Sequence, residues 1–174
     1  MKVASLAYRG LLLAVHPTSR GFGWVLFESP LSPVDWGIAS ARSGRNARLL
    51  ARFERLLNRY DPAILVLEEF ESGSAKRAVN IQMLCRSMIH LASCKGMDTK
   101  IYNRAVIRTV FSNIGAATRY EIAQAIAQRI DAFSHRLPRY RKPWIPEDPR
   151  QSLFDAAALA LTYFAVMGET ENLS

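Results

Sequence analysis

Three polar residues stand where apolar segments end or are interrupted. His16 closes the run Leu11-Leu12-Leu13-Ala14-Val15, Glu68 closes Ala63-Ile64-Leu65-Val66-Leu67, and Asp155 falls within Leu153-Phe154-Asp155-Ala156-Ala157-Ala158-Leu159-Ala160-Leu161. A carboxylate against buried surface costs free energy unless it is paired or binds a cation. The acids could therefore bind a cation, and His16 could be a ligand. Each residue alone also has a plainer account: a satisfied core histidine, a salt-bridged strand end, and an acid in the first turn of a helix that favours its dipole. No glycine-rich phosphate loop and no Ser, His, Asp order for acyl transfer occurs, so a small-molecule enzyme has little support.

A second set of residues suits anions. The 174 residues include 23 Lys and Arg against 15 Asp and Glu, a formal charge of +8, and 18 of the 23 cations are Arg. The planar guanidinium matches phosphate bidentately where an ammonium is a point charge, which makes nucleic acid the leading partner class. The plainer reading is a cationic surface that keeps the protein dissolved. The stretch Arg136-Leu137-Pro138-Arg139-Tyr140-Arg141-Lys142-Pro143-Trp144 interleaves cations with aromatics. Such a segment can grip phosphates through Arg136, Arg139, Arg141 and Lys142 while Tyr140 or Trp144 stacks on an unpaired base. Its alternative is a proline-stiffened loop whose Trp144 returns to the core.

The elements that must position these residues follow from period and punctuation. Leu11 to Val15 and Phe22 to Phe27 read as a strand hairpin, and Val34 to Ser40 as a third antiparallel strand after a proline-rich turn. From Asn46 the period changes: Leu49, Leu50, Phe53, Leu56, Leu57 and Tyr60 fall on one helix face, with Arg48, Arg52, Arg55 and Arg59 as a second, solvated stripe. Ala63 to Leu67 predicts a buried strand, Ala75 to Ser93 a helix apolar on more than one face, and Thr99 to Tyr102 a fifth strand. Helices are expected over Arg104 to Phe111, over Thr118 to Phe133 with a Thr118 and Glu121 capping box, and over Ser152 to Met167. Cys85 and Cys94 lie in the helical segment at a spacing that suits neither a zinc site nor a disulfide framework, and both read as buried apolar residues.

This length, at 49% hydrophobic, suits one hydrophobic core and one domain over 1–174, with 1–9 and 168–174 as flexible ends. No apolar run approaches a membrane helix and no secretory cleavage pattern occurs, so a soluble, cytoplasmic protein is expected.

The segment Leu12-Leu13-Ala14-Val15-His16-Pro17-Thr18-Ser19-Arg20-Gly21-Phe22-Gly23-Trp24 resembles the opening hairpin of the RuvC-type Holliday-junction resolvases. Asp61 to Phe70, with Glu68, looks like that family's second acidic motif. Ile114 to Ile122 is similar to its glycine turn and basic residue before a helix, and Asp155 to Leu161 to its closing Asp- and Ala-rich helix. The resemblance runs from about Leu11 to Phe164. It implies an α/β, ribonuclease-H-like fold: about five strands in a mixed sheet, three antiparallel and then parallel, flanked by helices on both faces. It further implies metal-dependent hydrolysis of phosphodiesters in branched DNA, a homodimer, and phosphate contacts from Arg20, Arg119 and the arginines after His135.

This chain departs from the family pattern. His16 stands where the family has its first Asp, Thr18 where it has Gly, and the closing helix has one Asp where two are common. With His16, Glu68 and Asp155 as catalytic residues and metal ligands, the implied ion is Mg²⁺ or Mn²⁺, the imidazole favouring Mn²⁺ or a softer ion. His16 as a general base on water is a second possibility. A third is a silent module that binds DNA, or RNA, without cutting. Glu69, Glu71, Glu147 and Asp148 are candidates for a missing ligand, although Glu69 should face away from Glu68.

Overall fold

The computed structural model describes residues 10–42, 45–70 and 76–172. Three antiparallel strands come first among the described residues, β1 (Leu12–Pro17), β2 (Gly21–Ser29) and β3 (Ser32–Ser40), followed by α1 (Arg45–Tyr60) and β4 (Ile64–Glu68). Next come α2 (Lys76–Cys94), β5 (Asp98–Tyr102), α3 (Arg104–Ser112), α4 (Arg119–Arg129), the single turn α5 (Asp131–Ser134) and α6 (Gln151–Asn172). The sheet order is β3-β2-β1-β4-β5, with β1 antiparallel to β2 and parallel to β4, and β4 parallel to β5. This is the mixed sheet that the sequence implied.

Period-two alternation sends successive side chains of each strand to opposite faces. Leu13, Val15, Phe22, Leu26, Leu65 and Leu67 join Leu49, Phe53 and Leu57 of α1 and Leu84, Met88 and Ala92 of α2. Leu12, Ala14, Val25, Phe27 and Val66 join α3, α4, α5 and α6 on the other face. His16 and Glu68 continue the second series, which aims both at α6. That helix is long and apolar enough over Gln151–Gly168 to cross a membrane, but 61% of that window is buried within the protein, as befits a core helix.

Several expectations change. The helix expected over Thr118 to Phe133 breaks at Ile130, whose backbone is extended (φ −121°, ψ 102°). The break turns Phe133 into the core, edge-on to Trp36 at 5.1 Å and to Phe154 at 6.0 Å. Of the expected flexible ends, 1–9 lie outside the described residues, whereas 168–172 are helical because α6 continues to Asn172. Cys85 is buried as expected, and burial pushes its thiol up to about 12. Cys94 is exposed, because α2 ends there. The two-sided apolar pattern of α2 resolves into one side packed on α1 and the sheet and another that exposes Val79 and Met83.

Candidate functional site

Parallel pairing of β1 with β4 runs to Val15↔Leu67, so the next residue of each strand, His16 and Glu68, end side by side. Asp155 reaches them because α6 lies against the sheet backbone at Gly23, the residue paired with His16. A Cβ at Gly23 would collide with the carbonyl of Ser152 and stand 2.6 Å from the Leu153 nitrogen. Only glycine permits that approach.

The three side chains meet and are buried: His16 is 7% exposed, Glu68 8% and Asp155 6%. His16 stands between the acids, Nδ1 3.1 Å from Glu68 Oε2 and Nε2 3.5 Å from Asp155 Oδ2. The first distance is short but its direction is not that of a hydrogen bond, so Nδ1 is a buried nitrogen without a hydrogen-bond partner among the described residues. The ring lies 6.0 Å from that of Phe70.

Two arginines hold the carboxylates. Arg104 Nε lies 3.2 Å from Glu68 Oε1. Arg119 bonds Asp155 through Nη2 and, at 3.3 Å, through Nε, and its Nη1 lies 2.6 Å from Glu147 Oε1. Gln151 Nε2 donates to Asp155 Oδ1 at 3.2 Å. Burial is the largest single influence on the Asp155 carboxyl and pushes it up. The charge of His16, the hydrogen bond and charge of Arg119 and the charge of Arg104 together outweigh it and hold the group below the usual carboxylate range. Burial likewise acts against the Arg119 charge, and Asp155 with Glu147 more than restores it.

Magnesium demands a near-octahedral shell of hard oxygens. A carboxylate offers roughly four acceptor positions, and those of Asp155 face Arg119 twice, Gln151 and His16. His16 turns a different nitrogen to each acid, so no single point receives a lone pair from all three residues. Among the described residues no group of three or more His, Cys, Asp and Glu side chains is arranged to hold a metal ion. As arranged, the three side chains do not fit the divalent ion that the resemblance implies.

Arg119, expected to hold phosphate, stands at the centre of the site because Thr118 caps α4 immediately before it, in the expected capping box with Glu121. Glu147 also joins the site, through Arg119. Arg20 is exposed in the β1–β2 turn, Glu69 is exposed, and Glu71 lies outside the described residues. In the loop before α6, Arg139, Arg141 and Lys142 are exposed, with Tyr140 72% and Trp144 76% exposed. Trp144 therefore does not return to the core. Tyr140 meets Tyr120 edge-on at 5.3 Å, Lys142 lies 5.5 Å above Trp144, and Arg141 Nε donates to the Ile145 carbonyl at 2.6 Å. Arg136 instead lies 5.9 Å over Trp36 of β3. Asp148 pairs with Arg150 rather than with the cluster. Arg104 and Gln151 escaped the sequence reading. Gln151 sits one helical turn before Asp155, and Arg104 lies two residues past Tyr102, which pairs with Glu68.

No family model matches the chain, and no curated protein matches it. Solved structures do. Thermus thermophilus RuvC in complex with a Holliday junction substrate matches at 17% identity and a TM-score of 0.66, over 91% of this chain and 96% of that one. The yeast mitochondrial Holliday junction resolvase Ydc2 matches at 11% identity and 0.68, over 92% and 80%. The fowlpox virus resolvase, in a complex with Holliday junction DNA, matches at 13% identity and 0.57, over 89% and 99%. The chain has the fold of the RuvC-type resolvases.

Proposed function

We propose that this protein is a divergent resolvase-type protein that binds branched DNA, of the four-way-junction class, along the face that carries His16, Glu68 and Asp155. One observation carries the reading: Arg119 ties buried Asp155 to Glu147 of the exposed cation-and-aromatic loop, which makes the buried cluster and the phosphate-gripping surface one continuous face. Arg20, Arg139, Arg141 and Lys142 supply charge for the backbone, and Tyr140 and Trp144 supply stacking platforms for bases unpaired at a branch. The neighbours whose structures hold Holliday junction DNA support this partner class. A homodimer formed through the exposed Val79 and Met83 of α2 and a cytoplasmic location complete the reading.

Strand cleavage is the second reading. It is favoured by the position of His16, held between two acids as a general base on water would be. Its metal-dependent form, with Mg²⁺ or Mn²⁺ on His16, Glu68 and Asp155, requires Arg119 to leave Asp155.

The test compares a four-way junction, a fork, linear duplex, and single-stranded DNA and RNA, with Mg²⁺ or Mn²⁺. Wild type is set against His16→Ala, His16→Asp, Glu68→Gln and Asp155→Asn. The expected result is preferential binding of the junction without strand scission. Cutting by wild type that disappears in Glu68→Gln and Asp155→Asn, with binding intact, establishes the second reading. Equal affinity for junction and linear duplex overturns the first.

A further inference from the structure

We infer that the guanidinium groups of Arg104 and Arg119 take the cationic role at this centre, so that it receives a backbone phosphate of DNA directly, without a divalent ion. The inference rests on the proposal that the protein binds DNA, and it names what the same site does with that ligand.

Charge is the first ground. Two guanidinium groups carry the charge of one divalent ion: Arg104 lies beside Glu68, and Arg119 lies between Asp155 and the exposed Glu147. His16 stands where an acid would add a further negative charge.

Coordination is the second ground. The Asp155 oxygens accept from Arg119 Nε and Nη2 and from Gln151 Nε2, and His16 Nε2 lies 3.5 Å from Oδ2, so an ion entering there competes with the Arg119 guanidinium.

The third ground is the placement of the arginines. Each is the first residue of its helix, Arg104 after the cap Asn103 and Arg119 after the cap Thr118. A cation is disfavoured there by the positive end of the helix dipole, whereas an anion is favoured. The two arginines are held in place by acids; the end of α4 is already capped by the Glu121 carboxylate, whereas that of α3, capped by neutral Asn103, favours a phosphate beside Arg104. Arg104 has room for one. Its side chain is 33% exposed, Nε rests on Glu68, and its terminal nitrogens make no hydrogen bond or ion pair among the described residues. A guanidinium anchored by Nε can present its outer fork to phosphate oxygens bidentately.

Two measurements on the full chain decide it. Manganese binding without DNA is followed by the paramagnetic resonance of free Mn²⁺, and junction binding by fluorescence anisotropy in EDTA, Mg²⁺ or Mn²⁺ over a salt series. Wild type is expected to leave millimolar Mn²⁺ free and to bind the junction in EDTA as tightly as with either ion. Arg104→Ala and Arg119→Ala are each expected to weaken junction binding about tenfold and to lower the log–log salt slope by about one, whereas Arg48→Ala, on the exposed face of α1, leaves both unchanged. Arg104→Lys, which keeps the charge and the fold, should recover the slope but not the full affinity. Stoichiometric Mn²⁺ binding that Glu68→Gln abolishes, or junction binding that EDTA abolishes, overturns the inference. Wild type that binds no junction overturns the DNA-binding proposal instead, while the Mn²⁺ titration still judges the role of the arginines.

Discussion

Asp155 stays ionised in a buried place because its partners outweigh its burial. A carboxyl whose folded value is depressed contributes stability that is complete above its unfolded value, ordinarily 3.8, and is lost as the pH falls through the folded value. Asp155→Asn should therefore lower stability by about 1–3 kcal/mol near neutrality, the upper range for buried pairs being out of reach because Arg119 is partly exposed. Urea unfolding across a pH series checks this. The gap between the two proteins should narrow below about pH 4 and close in stronger acid, and a gap that persists undiminished there would mean that the ion pairs contribute nothing. His16, Glu68 and Asp155 were legible in the sequence because each is polar in an apolar setting. Arg104 was not, since one arginine among 18 carries no local mark, and only the Glu68↔Tyr102 register brings its strand end to the site.

The elements place the site through one close approach. Gly23→Ala would press a methyl group into the backbone of α6 at Ser152 and Leu153, where no side chain can yield. Overpacking of this kind costs about 1–3 kcal/mol, and it should also move Asp155 away from His16 and weaken junction binding. Gly96→Ala is the control. A Cβ there meets nothing within 4 Å among the described residues, so only the positive φ of 73° is penalised, at about 1–2 kcal/mol, with no change in binding. Thermal unfolding and anisotropy report the two effects, and equal binding by both variants would refute the account of the α6 approach. Most elements were readable locally, since short continuous apolar runs bounded by turn residues mark β1, β2 and β4 and three-and-four spacing marks α1. The break at Ile130 was not readable. Its residues suit a helix, and the pull on Phe133 comes from Trp36 and Phe154, far away in the chain.

For the whole molecule, the consequence of charge depends on where it falls. Arg48, Arg52, Arg55 and Arg59 of α1 lie exposed on the face opposite the site, while the loop before α6 sets cations and two exposed aromatics beside it. Trp144→Ala should change stability by less than about 0.5 kcal/mol, as befits an exposed residue. It should nonetheless weaken binding of a junction or fork by about 1–3 kcal/mol with the salt slope unchanged, because stacking releases no counterions. Calorimetry paired with anisotropy separates the outcomes. Lost stability with unaltered binding would make Trp144 a packing residue.

The sequence by itself determined the alternation of strand and helix, the resolvase-type order of motifs, the unusual histidine and the cationic excess, because period, composition and residue order are local properties. Tertiary structure alone decided that His16 lies between two acids, that Arg104 and Arg119 occupy those acids, and that Trp144 faces outward. These depend on strand register and on the depth at which α6 meets Gly23, and charges far apart in the chain are balanced only once the fold has brought them within a few ångströms of one another.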